Sequence, residues 1–255
     1  MIERSWRFES SPGHHLKAPQ RELRGLCHFS PYRFARREPL LEGPTLDEKR
    51  FTTVHVHEGD LPDGLDLGPS VAVDSETMGL RYHRDPLCVV QLSAGDGDAH
   101  VVRMHRPTYD CPNLKALMAD RNVLKIFHFG RFDIAMMQLY LGVDTGPVYC
   151  TKIASKLART YTDRHGLKDV TRELAGVDLS KAQQSSDWGA DVLTQAQLDY
   201  AASDVLYLHA VKAKLDMMLA REGRTELAKA CFDFLPTRSR LDLEGWEEMD
   251  IFAHL

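Results

Sequence analysis

The chain contains no run of about 18 uncharged apolar residues, so no segment is expected to cross a membrane. Its first residues, MIERSWRFESSPGHH, carry charges and histidines where a secretion signal needs an apolar block, so export is not expected. Cysteine is scarce and scattered. Cys27, Cys88, Cys111, Cys150 and Cys231 form no C-x-x-C pair, which argues against a disulfide framework or a zinc–thiolate site. Reduced thiols and a cytoplasmic location are the expectation. Neither G-x-G-x-x-G nor G-x-x-x-x-G-K-[ST] occurs, which removes the commonest nucleotide-cofactor readings. An excess of basic residues is also missing. The formal net charge is −5, which on its own speaks weakly against a phosphate-binding protein.

What is present is enough for one α/β domain with a core, because 255 residues and 43% apolar content allow it. Residues 1–50 differ from the rest. They are rich in Arg, Pro, Ser and His without sustained periodicity, and are expected to form a poorly ordered extension. Residues 51–255 read as the globular domain with a C-terminal tail.

TVHVH alternates as a strand does. SVAVD (70–74), LCVVQLS (87–93) and AHVVRM (99–104) are further strand candidates, and these early strands are expected to form an antiparallel meander. VLKIFHF is another strand. Helices are expected at 113–120, at 131–142 with a stop at Gly142, in TKIASKLART and LKDVTRELAG, and in ELAKACF. The strongest helix begins at Thr194, where T-Q-A-Q is a capping box, and runs on through LDYAASDVLYLHAVKAKLDMMLAREG. The expected fold class is α/β: a mixed sheet of about five strands flanked by helices, closer to a ribonuclease H-like architecture than to a doubly wound one.

Three acidic elements stand out. In VAVDSETMGL, Asp74 ends a buried strand, and Glu76 lies two residues on, so strand alternation points both the same way. Paired carboxylates of this kind hold hard cations. The triplet alone is weak, since Asp242-Leu243-Glu244 repeats it in what reads as surface. Asp133, in HFGRFD, opens a helix, and an N-terminal acid on a helix dipole is the plain reading of it alone. Tyr200 and Asp204 are spaced i, i+4 on a strong helix and share a face; a core tyrosine is the plain alternative there.

Strand-end D-x-E, then a helix-start Asp, then Y-x-x-x-D, in that order, resembles the DEDD exonucleases of the tyrosine subgroup. The run QQSSDWGADVLTQAQLDYAASDVLYL, with Asp187 and Trp188, is similar to the third-motif region of ribonuclease D. CTKIASKLARTYTDRHGLKD, KIFHFGRFD and FLPTRSRLDLEGWEEMDIFAHL resemble the compact nano-RNase C family over roughly residues 52–255. The resemblance implies a two-metal 3′→5′ exoribonuclease that releases 5′-mononucleotides and prefers diribonucleotides and other very short RNAs. It implies Asp74, Glu76, Asp133 and Asp204 as ligands of two Mg²⁺ or Mn²⁺ ions, with Tyr200 orienting the attacking water. Two such ions would bring the net charge to about −1 and supply the attraction for phosphate. A ring-like homo-oligomer, an octamer, is implied as well.

For substrate contacts, Leu80 stands where oligoribonuclease-type relatives place a wedge between bases, with a core leucine as the alternative. Near Asp133, His128 is a further candidate. Phe129 could stack on a base or pack in the core, and Arg131 could pair with a phosphate or face solvent. Lys152, Lys156 and Arg159 fall on one face of a helix, so Lys152 and Arg159 are candidates for a 5′-phosphate; a solvated basic face is the alternative. Two other functions stay open: a general 3′→5′ exonuclease on longer RNA or on DNA, and a non-catalytic nucleic-acid-binding module.

Overall fold

The computed structural model describes residues 53–180 and 182–254. The expectation for residues 1–50 lies outside them. Among the described residues, six strands form one mixed sheet: β1 (Val54–Glu58), β2 (Ser70–Thr77), β3 (Leu87–Ser93), β4 (Ala99–Arg103), β5 (Leu124–Phe127) and β6 (Val148–Cys150). Their order across the sheet is β1-β4-β3-β2-β5-β6. The antiparallel meander is real for β2, β3 and β4. β1 departs from it, because it lies at the outer edge and pairs in parallel with β4, His55 opposite His100. β5 and β6 add in parallel on the other side. The sixth strand, Val148–Cys150, is three residues long, too short to leave a pattern in the sequence.

The helices follow the chain: α1 (Pro112–Ala119), α2 (Arg131–Met136) continuing as a π-helical turn over Met137–Leu141, α3 (Thr151–Ala158), α4 (Leu167–Ala175), α5 (Gln195–Leu206), α6 (Leu208–Arg221) and α7 (Thr225–Leu241). Gly142, at φ 66°, takes the left-handed conformation that ends the second of these, where a side chain would be strained. The helix expected from Thr194 onward is two helices, α5 and α6, parted at Tyr207. The break has no Gly or Pro to signal it. α7 is longer than its ELAKACF core and carries Pro236 in its interior.

Both faces of the sheet are covered. β3 is buried along its whole length, as expected of a central strand packed on two sides. α5 lies against β2, β3 and β4, where Trp188 and Ala201 pack on Val89 and Val101. α6 packs against β5 and α3, while α7 packs against α2 and β6. The larger core cluster includes Val71, Val73, Leu92, Ile126, Ile134, Val205 and Leu208. A central strand ending beside α2 and α5 fixes the geometry of the site, because those three elements carry the acidic residues.

Candidate active site

Asp74 and Glu76 stand on the C-terminal half of β2, ahead of a register shift at Glu76/Thr77 that bends the strand. Asp204 reaches the same place from α5, and Tyr200 sits one turn before it. α5 is held at its start by the capping box read from the sequence. Gln197 N donates to Thr194 Oγ1 at 3.3 Å, and Thr194 N donates to Gln197 Oε1 at 2.9 Å. Asp133 enters from the first turn of α2. The turn from β5 into α2 is sharp: Phe129 has φ 68°, and a Cβ on Gly130 would lie 2.6 Å from Phe127 Cβ. Glycine is what lets the backbone pass there.

One carboxylate oxygen from each of Asp74, Glu76 and Asp204 lies within 4.8 Å of the others. Asp133 is buried next to them and accepts a hydrogen bond from Ser75 Oγ at 2.6 Å. All four line one cleft of about 650 Å³, together with Tyr200. An all-oxygen donor set that converges in this way suits a hard divalent cation such as Mg²⁺ or Mn²⁺.

The electrostatics agree with that chemistry. The three converging acids keep some exposed area but are ringed closely by protein. Burial, then repulsion from Asp133, Asp204 and Glu76, raises Asp74 well above the carboxylate range. Glu76 rises for the same reasons, burial first. Burial is also the leading cause at Asp133 and Asp204. Tyr200 is pushed up by burial and then by Asp204, so its phenol stays protonated and acts as a hydrogen-bond donor.

These shifts give a stability prediction. An acid whose folded pKa is raised stabilises the fold fully at low pH, and that stability is lost as pH rises through the folded value. The window here runs from the ordinary carboxylate range up to about 9, the value for Glu76. A divalent ion should cancel the loss. The rise in Tm caused by Mg²⁺ or Mn²⁺ should therefore be larger near pH 9 than near pH 6, by about 4 °C or more. Differential scanning fluorimetry with and without the ion at each pH reads this directly. Taking the difference removes titrations remote from the cluster, such as those of partly buried histidines.

Gln91 is a site residue that sequence reasoning missed. It is fully buried on β3, is the register partner of Asp74, and donates Nε2 to Asp74 Oδ2 at 2.6 Å. A neutral amide thus holds the Asp74 carboxylate in place. Gln91→Leu should raise the Mn²⁺ concentration needed for half-maximal activity by roughly tenfold, as removal of groups that orient metal ligands commonly does. A metal titration of rate checks it. Ser75 plays the same part for Asp133. No local pattern marks Gln91, because its role depends on strand register. Ser75 sits inside the D-x-E triplet, but alternation points it to the opposite face.

The candidate substrate contacts divide. Leu80, His128, Phe129, Arg131 and Lys152 line the cleft with the acids, joined by Tyr82 and Lys168. Leu80 is 78% exposed and Phe129 47%, so neither is a core residue. Lys152 Nζ lies 3.9 Å from the centre of the Phe129 ring. His128 is half-buried, pairs through Nδ1 with Thr151 Oγ1 at 2.8 Å, and has its pKa lowered to about 3 by desolvation, so it is neutral. Arg131 is already engaged: its Nε and Nη2 donate to Asp242 at 2.5 and 2.7 Å.

Arg159 corrects the sequence reading. It does not line the cleft. Its guanidinium is buried against Glu173, Ser155 Oγ and the Arg164 carbonyl. α3 ends at Ala158, so the helical spacing that aligned Arg159 with Lys152 stops one residue short. Asp242 is a second correction. Read as surface, it is buried and gripped by Arg131 and Arg238.

A family model described as a 3′-5′ exonuclease matches residues 61–220. The ribonuclease D of Acidiphilium cryptum is 38% identical over 166 residues, 65% of this chain and 42% of that protein. That of Gluconacetobacter diazotrophicus is 34% identical over 184 residues, 71% and 46% of the two. The chain thus spans less than half the length of these curated relatives. Among solved structures, Brucella melitensis NrnC with bound Mg²⁺ is 57% identical with a TM-score of 0.77, covering 80% of this chain and all of that one. The same protein bound to pGG is 58% identical with a TM-score of 0.78 and the same coverage. Escherichia coli RNase D is more distant, at 26% identity and a TM-score of 0.59, covering 68% of this chain and 45% of that one. By these matches the chain belongs to the ribonuclease D-like 3′-5′ exonuclease family.

Proposed function

We propose that the chain is a divalent-metal-dependent 3′→5′ exoribonuclease that releases 5′-mononucleotides and acts best on diribonucleotides. The observation that carries this reading is the convergence of Asp74, Glu76 and Asp204 within 4.8 Å, with Asp133 beside them in one cleft. The likeness to Brucella NrnC, solved with Mg²⁺ and with pGG, supports the metal and the substrate length.

Asp74, Glu76 and Asp204 would hold one ion, and Asp74 with Asp133 a second. Ions bound there supply positive charge to the attacking and leaving oxygens of an in-line displacement. Everything else falls to the chain. Tyr200, one helical turn before Asp204 and protonated, orients the attacking water. Leu80 and Phe129 offer apolar faces for the two bases, and Lys152 with Lys168 supplies positive charge for a 5′-phosphate. Gln91 and Ser75 keep the carboxylates in place.

The homo-oligomer belongs to this proposal too. Trp246, Met249, Ile251 and Phe252 near the C-terminus are exposed, and a neighbouring copy would cover them. A cytoplasmic location is likewise proposed. No helix among the described residues is long and apolar enough to cross a membrane.

A time course with 5′-labelled RNAs of about two to seven nucleotides in Mg²⁺ or Mn²⁺ tests the reading. The expected result is rapid conversion of the two-mer to mononucleotides, with the seven-mer slower by about tenfold or more. Equal rates across the series would retain the chemistry and remove the length preference. RNA bound but uncut in the presence of metal would instead mark a binding module.

A further inference from the structure

An RNA-binding cleft is ordinarily lined by cations, because each phosphate it meets is negative. This one is divided. Lys152 on α3 and Lys168 on α4 line it, but so do Glu247 and Glu248 from the turn after α7. Those two glutamates take no part in the carboxylate cluster. In a phosphate-binding cleft they weaken binding unless they discriminate against something.

The turn that carries them is held firmly. Asp242, fully buried at its side chain, receives Arg131 and, at 2.8 Å, Arg238. Tyr82, itself a cleft residue, lies with its hydroxyl 3.5 Å from Asp242. The same two arginines reach past Asp242 to the backbone that leads to the glutamates. Arg131 Nη2 donates to the Glu247 carbonyl at 2.7 Å, and Arg238 Nη2 to the carbonyls of Trp246 at 2.7 Å and Glu247 at 3.0 Å. Gly245, at φ 99°, allows the chain to reverse between them. Ser239 Oγ adds a bond to the Arg131 carbonyl, locking α7 to α2. Arg131, two residues before Asp133, is thereby committed to the tail rather than free for a phosphate.

We infer that the turn over residues 242–248 is a length filter, in which Glu247 and Glu248 repel the phosphates of nucleotides beyond the second. The inference rests on the exoribonuclease reading above and names the residues that limit its substrate. A dinucleotide places one internucleotide phosphate at the acid cluster and its 5′-phosphate near the lysines. Each further nucleotide adds a phosphate that must leave the cleft past the carboxylates carried on this anchored turn. At physiological salt, charges within about 8 Å still feel one another, so the repulsion acts on the first phosphates past the second nucleotide and fades with ionic strength.

The test measures kcat/KM on five-prime-labelled two-mers and seven-mers and reads their ratio. Wild type is compared with Glu247→Gln/Glu248→Gln and with Arg238→Gln, which loosens the turn from outside the cleft. The double variant should raise the seven-mer to two-mer ratio by about tenfold, Arg238→Gln by less, and added salt should raise it in wild type. If wild type prefers the two-mer and the double variant leaves the ratio within about twofold, the filter is wrong while the exoribonuclease reading stands. If wild type shows no preference for the two-mer, the length reading and the filter fall together. Should the double variant fold poorly, the salt series and Arg238→Gln decide in the same two directions.

Discussion

Asp74→Asn should lower kcat by about 10³-fold or more while raising the Tm of the protein in EDTA. The two effects share one cause. Asp74 is the acid most closely beset by others, with Asp133, Asp204 and Glu76 all acting on it after burial. Without a cation, that crowding destabilises the fold, and a neutral amide of the same shape relieves it. With a cation, the crowding is what binds the ion, and the amide forfeits both charge and ligand strength. A loss of about 4 kcal/mol in transition-state stabilisation corresponds to the stated factor. Parallel activity assays and melting curves with and without EDTA separate the two. A structural acid would give the reverse: activity spared and metal-free stability reduced.

Arg159→Met should destabilise the protein by about 2–3 kcal/mol without a matching change in KM for a 5′-phosphorylated dinucleotide. The guanidinium is buried, so removing it strands the Arg164 carbonyl, takes a donor from Ser155 Oγ, and leaves Glu173 only the Tyr161 hydroxyl. Glu173 is 41% exposed, which lets water recover part of the cost and keeps the figure below that of a fully buried pair. Urea melts would give the stability change and initial-rate kinetics the KM. A large rise in KM with unchanged stability would return Arg159 to the substrate site.

Those two residues also show what a sequence can and cannot carry. Asp74, Glu76, Tyr200 and Asp204 were legible because their relation is local: two residues along a strand, or four along a helix, fixes a shared face. Their meeting across the fold follows from the order of motifs, and the geometry brings the three acids together with Tyr200 in the same cleft. Arg159 misled because helical periodicity was carried one residue past the end of α3, where the backbone turns away. Asp242 misled because nothing nearby reveals that Arg131, 111 positions earlier, will close on it. Gln91 was invisible for the same reason, since only the pairing of β3 with β2 sets it against Asp74. The edge strand β1 looked like the start of the meander and instead joined β4 in parallel, a choice made by the whole sheet rather than by VHVHE.

Anomalous diffraction from crystals grown with Mn²⁺ tests most directly whether these acids form a metal centre. A peak should appear about 2.0–2.2 Å from carboxylate oxygens of Asp74, Glu76 and Asp204, and vanish in Asp74→Asn crystals. Well-ordered Mn²⁺ crystals with no peak among those three side chains would contradict the account.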